Sequence, residues 1–286
     1  MQMQNLPFKD CSVIHPLSGG SKRGFYRVNC GGKRRVVMSG EEDEVNKYVK
    51  VAKLLGENGI NVPRVYDVRE NHVLMEDLGD MSLYRYVKIY GPDIGIYKKV
   101  LDELVKLQSK KFTGLPMFDA EKLFSEYRHF RKFYVPYARI NTTGWEDNIK
   151  EIVSKCLLTP FVPMHRDFQS TNVFIKEGKV YMVDFQDMHL GPLYFDLAAL
   201  LFDPYVMLQN SIVWELAEYY EEKMKIEFDR DGFLACGILR IMQALGAFVR
   251  LSSQGKEFFK GFIRRGKCRL KGLLRDAGFD NMADSL

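Results

Sequence analysis

The stretch at residues 164–191, MHRDFQSTNVFIKEGKVYMVDFQDMHLG, constrains the fold of this chain more than any other part of the sequence. It contains two short apolar runs, 173–175 and 180–183, which are separated by a Glu-Gly turn sequence. Two such runs around a turn predict a β-hairpin. Because a hairpin returns its far end to its start, we expect Asp184 to lie beside Asn172, although the two residues are far apart along the chain.

Four polar residues in this stretch have the chemistry that transfer of a phosphoryl group to a hydroxyl group requires. Asp167 offers a carboxylate that can hold the attacking hydroxyl and accept its proton. Mg²⁺ prefers hard oxygen ligands and keeps waters and phosphates, so one or two protein groups are enough to hold it. Asn172 and Asp184 supply an amide oxygen and a carboxylate. We expect His165 to support the turn through hydrogen bonds and not to transfer protons.

The order of these residues resembles a known family. His165-Arg166-Asp167 with Asn172, followed by Asp184, is similar to the catalytic and metal-binding loops of the protein-kinase-like phosphotransferases, which include the aminoglycoside, choline and homoserine kinases. Alone, the HxD motif is more typical of a core histidine beside a surface turn, with Asp184 capping a strand. The motif, the hairpin and the closing Asp-Phe together favour the kinase interpretation.

The resemblance implies a fold, a domain division and two ligands. The fold is α+β and bilobal, with a small antiparallel sheet and one helix in the N-terminal lobe and a larger, mostly helical C-terminal lobe. We therefore expect a nucleotide-binding lobe at residues 1–78 and a catalytic, acceptor-binding lobe at residues 79–286. The implied ligands are ATP and Mg²⁺.

A glycine-rich turn near the N-terminus precedes an alternating strand. Glycine lets backbone N–H groups approach a phosphate closely, although such a turn is also an ordinary hairpin connection. Ahead of a kinase-like site, we expect it to be the flap over the nucleotide phosphates, with Lys22 and Arg23 near the β- and γ-phosphates. The residues predicted for this flap are Gly19, Gly20, Ser21, Lys22 and Arg23.

The third predicted strand departs from the family pattern. The family usually has a lysine there that holds the α- and β-phosphates, and Met38 occupies that place. Lys22 or Arg23 is the expected replacement. The strand that ends at Glu76, with Leu78 just beyond it, is either a strand and turn without a ligand or the interlobe hinge, and the resemblance favours a hinge whose backbone binds adenine.

Further phrases narrow the resemblance to bacterial anomeric kinases that phosphorylate N-acetylmuramic acid and N-acetylglucosamine at carbon 1. The implied product is a sugar 1-phosphate that enters cell-wall recycling and UDP-sugar synthesis.

Alternatives are an aminoglycoside or a choline/ethanolamine kinase, and a nucleotide-binding pseudokinase, for which Met38 is the sole support. Gln186 and Asp187 either contact the acceptor or the metal, or support the loop. The phrases are Val51-Ala52-Lys53-Leu54-Leu55 with Val62-Pro63, Glu76-Asp77-Leu78-Gly79-Asp80, Val183-Asp184-Phe185-Gln186-Asp187, Gly191-Pro192, Tyr194, Asp196-Leu197 and Asp203-Pro204-Tyr205. Asp196 is expected to anchor the catalytic loop.

Cysteine usage and apolar runs indicate a cytoplasmic enzyme. The five cysteines form no CxxC motif, so we expect free thiols in a reducing compartment. The first ten residues lack a basic-then-apolar signal pattern. The longest apolar run, 233–249, is interrupted by Arg240 and Gln243, which predicts a buried helix and no membrane span.

The modest net charge of +5 argues against nucleic acid as a partner. The basic residues of the chain cluster near its C-terminal end, at 256–275, which is typical of a solvated helix face or of an anion site. Nucleic-acid binding favours a broader basic stripe interleaved with aromatic residues. A basic acceptor lobe suits an acceptor that carries a carboxylate better than a polycationic aminoglycoside. The expected partner is therefore a small hydroxyl-bearing molecule, an amino sugar.

Overall fold

The computed structural model describes residues 6–17 and 23–286. These residues form two compact units. The first comprises the described residues up to Ser82 together with Val173–Gln186, and the second comprises Leu83–Asn172 together with Asp187–Leu286. The sequence predicted a boundary after residue 78 and did not assign the 173–186 segment to the first unit.

The described chain contains nine strands, ten α-helices and one 3-10 helix. Up to residue 172 the elements are β1 Cys11–Leu17, β2 Gly24–Cys30, β3 Lys33–Ser39, α1 Glu42–Glu57, β4 Val65–Arg69, β5 His72–Glu76, α2 Leu83–Tyr90, α3 Ile94–Gln108, α4 Ala120–Ala138, α5 Glu146–Leu158 and β6 Phe161–Met164. Beyond it they are β7 Val173–Lys176, β8 Lys179–Met182, β9 His189–Pro192, α6 Tyr194–Leu201, α7 Asn210–Met224, α8 Arg230–Ser253, the 3-10 helix Glu257–Phe259, α9 Lys260–Asp276 and α10 Asp280–Ser285.

An antiparallel five-stranded sheet with the order β1-β2-β3-β5-β4 forms the first unit, and α1 accompanies it. The sequence predicted α1 because its apolar residues recur at helical spacing. The buried residues of α1 are Val45, Tyr48, Ala52 and Leu55. Glu42, Asp43 and Glu44 lie in its first turn, where negative charge is favoured by the helix dipole.

The hairpin predicted at residues 173–183 is present as β7 and β8, which pair antiparallel from Val173↔Met182 to Lys176↔Lys179. Its two-residue turn requires positive φ at both positions, and Glu177 and Gly178 have φ of 52° and 74°. The hairpin is bound to the rest of the first unit through backbone hydrogen bonds to Met81 and Asn61.

The second unit is mostly helical, and α8 lies in its core. By length and hydropathy, α8 is the one helix in the described ranges that could cross a membrane, yet 83% of its apolar window is buried inside the protein. This is the pattern of a core helix. The short strands β6 and β9 pair antiparallel from Phe161↔Pro192 to Met164↔His189, and β6 ends directly before the predicted catalytic motif.

Two cysteines differ from the prediction of free thiols. Cys11 and Cys30 form a disulfide, with Cα atoms 4.1 Å apart, because the β1–β2 register places them opposite each other at the end of the hairpin. The two cysteines are 19 positions apart, so the sequence has no CxxC motif that would indicate their pairing. Cys156, Cys236 and Cys268 are free, as predicted.

Candidate active site

The main chain of the loop at residues 165–172, which carries the predicted catalytic residues, is anchored by a buried carboxylate of the second unit. Asp196, in the first turn of α6, is fully buried and accepts hydrogen bonds from the backbone N–H groups of His165 at 2.5 Å and Arg166 at 2.9 Å. Burial raises the pKa of Asp196 to about 6, against the opposing effects of His165 and of these two backbone donors. The prediction that Asp196 anchors this loop is confirmed.

A second buried carboxylate, which sequence reasoning did not assign, holds the next part of the loop. Asp203 accepts hydrogen bonds from the backbone N–H groups of Ser170 and Tyr205, both at 2.8 Å. Burial raises its pKa. The sequence signal for this turn is the Asp-Pro-Tyr phrase at 203–205, because an aspartate side chain commonly accepts a hydrogen bond from the backbone N–H group two residues further on.

The side chain of Asp167 is held by an arginine from α8. Arg240 Nη2 lies 3.0 Å from Asp167 Oδ1 and donates a second hydrogen bond to Gln169 Oε1 at 2.9 Å. Arg240 Nη1 donates to Gln243 Oε1. Sequence reasoning treated Arg240 and Gln243 as interruptions of an apolar run and missed this contact. The signal was the charge itself, because an unpaired guanidinium is costly to bury.

Local hydrogen bonds orient Asn172 and the loop around it. Asn172 Nδ2 donates to the Asp167 carbonyl oxygen at 3.0 Å. This bond fixes which end of the amide faces Asp167 and leaves the amide oxygen on the other side. His165 is buried, and its ring contacts Phe168 edge-on at 5.8 Å. Arg166, between His165 and Asp167, has φ of 77°. A non-glycine residue in this region is strained, and such strain clusters at functional sites.

Asp184 belongs to the first unit, just after β8, and also has a positive φ, 65°. Its Oδ1 atom accepts hydrogen bonds from Arg23 Nη2 at 2.7 Å and from Gln186 Nε2 at 2.9 Å. The Arg23 side chain is 8% exposed, and that of Asp184 is 42% exposed. Gln186 therefore supports the Asp184 carboxylate, whereas the Asp187 carbonyl oxygen lies 2.8 Å from His189 Nδ1.

Three further residues predicted to bind the nucleotide, Met38, Glu76 and Leu78, also belong to the first unit. Met38 is fully buried in β3, opposite Phe25 of β2 and Val73 of β5. The Glu76 backbone N–H donates to the Arg64 carbonyl at 2.8 Å, and its carboxylate pairs with Lys176 at 2.6 Å. Leu78 is buried. The predicted flap residues Gly19, Gly20, Ser21 and Lys22 lie outside the described residues.

A buried carboxyl from α4 completes the charged surroundings of Asp167. Glu126 is 7% exposed, and its Oε1 atom lies 3.7 Å from Arg166 Nη2. Burial raises the pKa of Glu126 to about 7, while the charges of Arg166 and Arg240 lower it and that of Asp167 raises it. The second unit thus brings the carboxyl groups of Glu126 and Asp167 together with the guanidinium groups of Arg166 and Arg240.

The predicted magnesium ligands, Asn172 and Asp184, both offer oxygen donor atoms. Within the described ranges, no group of three or more His, Cys, Asp or Glu side chains has the arrangement of a self-sufficient metal site. Mg²⁺ does not need one, since it is commonly held by one or two protein groups plus nucleotide phosphates. Asp184 keeps a partly exposed carboxylate, and the amide oxygen of Asn172 is turned away from the Asp167 carbonyl. Both are hard oxygen donors that suit this ion.

The sheet with one helix, the helical second unit and the HxDxxxxN loop define a protein-kinase-like phosphotransferase. Residues 13–226 match the model of the phosphotransferase enzyme family, and the chain belongs to that family. It is a kinase, as the sequence predicted.

Three similar proteins illustrate the relationship. An N-acetylmuramate/N-acetylglucosamine kinase of Neisseria meningitidis serogroup B is 28% identical over 285 residues, which cover 91% of this chain and 84% of the relative. One of the same name from Pseudomonas aeruginosa is 27% identical, with 88% and 81% covered. The structure of a choline kinase from Streptococcus pneumoniae aligns with a TM-score of 0.65 at 17% identity, and the match covers 92% of this chain and 95% of that one. The predicted α+β, protein-kinase-like fold is confirmed.

Proposed function

We propose that this kinase transfers the γ-phosphoryl group of ATP to the anomeric hydroxyl of an N-acetylated amino sugar, N-acetylmuramate or N-acetylglucosamine. The observation that carries the proposal is the similarity, over about nine-tenths of the chain, to two kinases named for these sugars. The choline kinase shares less than a fifth of its residues with this chain and supports the fold alone. The product is a sugar 1-phosphate, and cell-wall recycling in the cytoplasm is the proposed setting because both sugars are cell-wall components.

Asp167 is the proposed catalytic base. Its carboxylate holds the anomeric hydroxyl and takes its proton while the hydroxyl oxygen bonds to the γ-phosphorus and the bond from that phosphorus to ADP breaks. Two features support this role. The side chain remains partly exposed, and the loop that carries it is fixed by Asp196 and Asp203. His165, buried beneath the loop, has a framework role.

Asn172 and Asp184 are the proposed protein ligands of Mg²⁺. When bound, this ion neutralises charge on the nucleotide phosphates. The support comes from the chemistry of the two donors, a carboxylate oxygen and an amide oxygen that is oriented by the bond from Asn172 Nδ2 to the Asp167 carbonyl. Gln186 holds Asp184 Oδ1, so its own proposed role is to support a metal ligand.

Arg23 is the proposed replacement for the missing third-strand lysine. Its guanidinium pairs with Asp184 at 2.7 Å, and an arginine binds phosphate oxygens through two parallel hydrogen bonds. Met38, fully buried in the sheet, has no charge to offer and is proposed to contribute apolar surface. The flap formed by Gly19, Gly20, Ser21 and Lys22 and the adenine-binding segment around Glu76 and Leu78 remain parts of the proposal.

An ADP-release assay over a panel of acceptors tests the acceptor class. The panel contains N-acetylmuramate, N-acetylglucosamine, the methyl glycoside of N-acetylglucosamine, choline, ethanolamine, homoserine and aminoglycosides, each with ATP and Mg²⁺. We expect turnover with the two N-acetyl sugars and none with the methyl glycoside of N-acetylglucosamine, which lacks a free anomeric hydroxyl. Turnover with that glycoside, or with choline or an aminoglycoside alone, would contradict the proposed acceptor. No ADP release with any member would favour the pseudokinase alternative.

Asp167→Asn tests the proposed base. Replacement removes the proton acceptor and keeps the size of the side chain, so kcat should fall by about 10²–10⁴. Nucleotide affinity should stay within a few-fold of the wild type, measured by calorimetric titration with a non-hydrolysable ATP analogue. Asp147→Asn, at an exposed position of α5, is the matched control and should leave kcat unchanged. A fully active Asp167→Asn enzyme would exclude this assignment.

A further inference from the structure

Arg240 is an unusual residue for its position. It lies in the middle of α8, where almost all neighbouring side chains on the helix are buried and apolar. Burying a guanidinium costs free energy unless it is paired and hydrogen-bonded, and replacing buried ion pairs by apolar residues is often neutral or stabilising. A leucine or methionine would satisfy the packing of α8. The charge therefore calls for an explanation outside the stability of the helix.

The guanidinium of Arg240 donates hydrogen bonds to the side chains of Asp167 and of two glutamines. Its Nη2 atom donates to Asp167 Oδ1 at 3.0 Å and to Gln169 Oε1 at 2.9 Å, and its Nη1 atom donates to Gln243 Oε1 on the same helix. The two glutamines hold the guanidinium from opposite ends. The group is consequently fixed in orientation as well as in position.

Exposure shows from which side the carboxylate is held. The Arg240 side chain is 6% exposed and that of Asp167 is 37% exposed, so the guanidinium lies on the buried side of the carboxylate. One oxygen, Oδ1, is bound. For the other, Oδ2, no hydrogen bond to a residue in the described part of the chain is seen. The terminal torsion of an aspartate is broad, so an anchor on one oxygen decides where the second one points.

The hydrogen bonds to the backbone of the loop come from other residues than Arg240. Asp196 and Asp203 together bind the N–H groups of His165, Arg166 and Ser170. Arg240 touches side chains of the loop, at Asp167 and Gln169. Its removal is therefore expected to free the Asp167 carboxylate and leave the path of the loop unchanged.

We propose that Arg240 is the positioning residue for the catalytic base: it binds Asp167 Oδ1 from the buried side and so presents Oδ2 to the acceptor hydroxyl. The inference rests on the proposed role of Asp167. A loss of alignment of this kind lowers kcat with little effect on nucleotide binding, and small misplacements of reacting groups cost up to about 10²-fold in rate.

The experiment compares Arg240→Ala and Arg240→Lys with the wild type, using the best acceptor of the panel. For Arg240→Ala we expect kcat to fall by about 10-fold to 10²-fold while the KM for ATP changes less than about twofold. Added guanidinium ion at millimolar concentration should restore part of the lost kcat, because it can occupy the space of the deleted group. Arg240→Lys keeps the charge but lacks the forked donors, so its kcat should lie between the two.

Arg269→Ala is the matched control. Arg269 is also a buried arginine, from α9, but it binds neutral partners, the Leu208 carbonyl oxygen at 2.6 Å and Asn210 Oδ1 at 3.3 Å. Its replacement should lower the thermal midpoint and leave kcat within about twofold, without a response to guanidinium.

Two results would overturn the inference. One is an Arg240→Lys enzyme with the kcat of the wild type. The other is a guanidinium response that Arg269→Ala shares. Should Arg240→Ala not fold, the kcat of Arg240→Lys decides alone: a kcat below that of the wild type supports the inference, and an equal kcat overturns it. An inactive wild type would count against the proposed function, whereas an active wild type with an unaffected Arg240→Lys variant would count against Arg240 alone.

Discussion

At the scale of single residues, two buried carboxylates hold the backbone of the loop at residues 165–172 through hydrogen bonds. Asp196 and Asp203 each accept two backbone N–H groups, and each has a pKa raised by burial. A carboxylate that accepts backbone donors replaces the hydrogen bonds that an irregular loop cannot make for itself. The loop can therefore keep a strained residue, Arg166 with φ of 77°, next to Asp167.

Glu126 gives a pH prediction at this scale. Burial raises its pKa to about 7 in the folded protein, above the ordinary value of 4.5, so folding favours the protonated carboxyl. The stability that this proton contributes is fully present below about pH 4.5 and is lost as the pH rises through about 7. Glu126→Gln stays neutral, and we expect its thermal midpoint to fall less than that of the wild type between pH 5 and pH 8.

Circular dichroism melts of both proteins at a series of pH values measure this difference. Asp196, with a pKa of about 6, loses stability with rising pH in the same sense, but it is present in both proteins and cancels in the comparison. Parallel curves of midpoint against pH for the wild type and Glu126→Gln would show that Glu126 is ionised in the folded protein over this whole range.

At the scale of elements, the close approach of α8 to α4 depends on a glycine. A Cβ atom on Gly246 would lie 2.9 Å from the backbone oxygen of His129, so an alanine there would force the two helices apart. Among the residues that the structure describes, and apart from the nearby backbone of α9 itself, no heavy atom lies within 4 Å of the corresponding position at Gly272. The same change from glycine to alanine is therefore opposed by a steric clash in α8 and meets no such clash in α9.

We expect Gly246→Ala to destabilise the protein by about 1–3 kcal/mol, the usual cost of overpacking. Gly272→Ala should instead stabilise it by about 0.5–1 kcal/mol, because alanine favours the helix and meets no neighbour. Urea unfolding at equilibrium measures both changes. If both variants were stabilised, the helices would have room that the contact with His129 does not suggest.

At the scale of the whole molecule, the residues proposed for catalysis and for metal binding are assigned to two different compact units. Asp167 and Asn172 belong to the second unit and Asp184 to the first. The hairpin that follows Asn172 along the chain forms its hydrogen bonds with Met81 and Asn61, which also belong to the first unit. Asn172 and Val173 are therefore adjacent in sequence but belong to different units.

Ligand linkage tests the proposed metal site on the folded protein as a whole. A ligand that binds the folded state alone stabilises it by about 2.7 kcal/mol at one hundred times its Kd. We expect a non-hydrolysable ATP analogue with Mg²⁺ to raise the thermal midpoint, and chelation of Mg²⁺ by EDTA to reverse most of the rise. Asp184→Asn should lose the Mg²⁺-dependent part, whereas the exposed control Asp147→Asn should keep it. An equal Mg²⁺ effect in Asp184→Asn would remove Asp184 from the proposed ligands.

Much of the fold follows from local sequence signals. The helical spacing of apolar residues predicted α1, the Glu-Gly turn between apolar runs predicted the β7–β8 hairpin, and interrupted hydropathy predicted that α8 is a core helix. These signals are readable because side-chain period and turn chemistry act over a few neighbouring residues. The family resemblance supplied the class of enzyme, which the match to the phosphotransferase family confirms.

The tertiary structure alone decided which distant polar groups meet. Arg240 lies 73 positions from Asp167, Arg23 lies 161 positions from Asp184, and the Cys11–Cys30 disulfide depends on strand register. The sequence by itself determined where helices, strands and the motif lie, because burial pattern and turn preference are local. It did not determine these pairings, because a buried charge records that a partner is needed and only the packing of distant elements selects that partner.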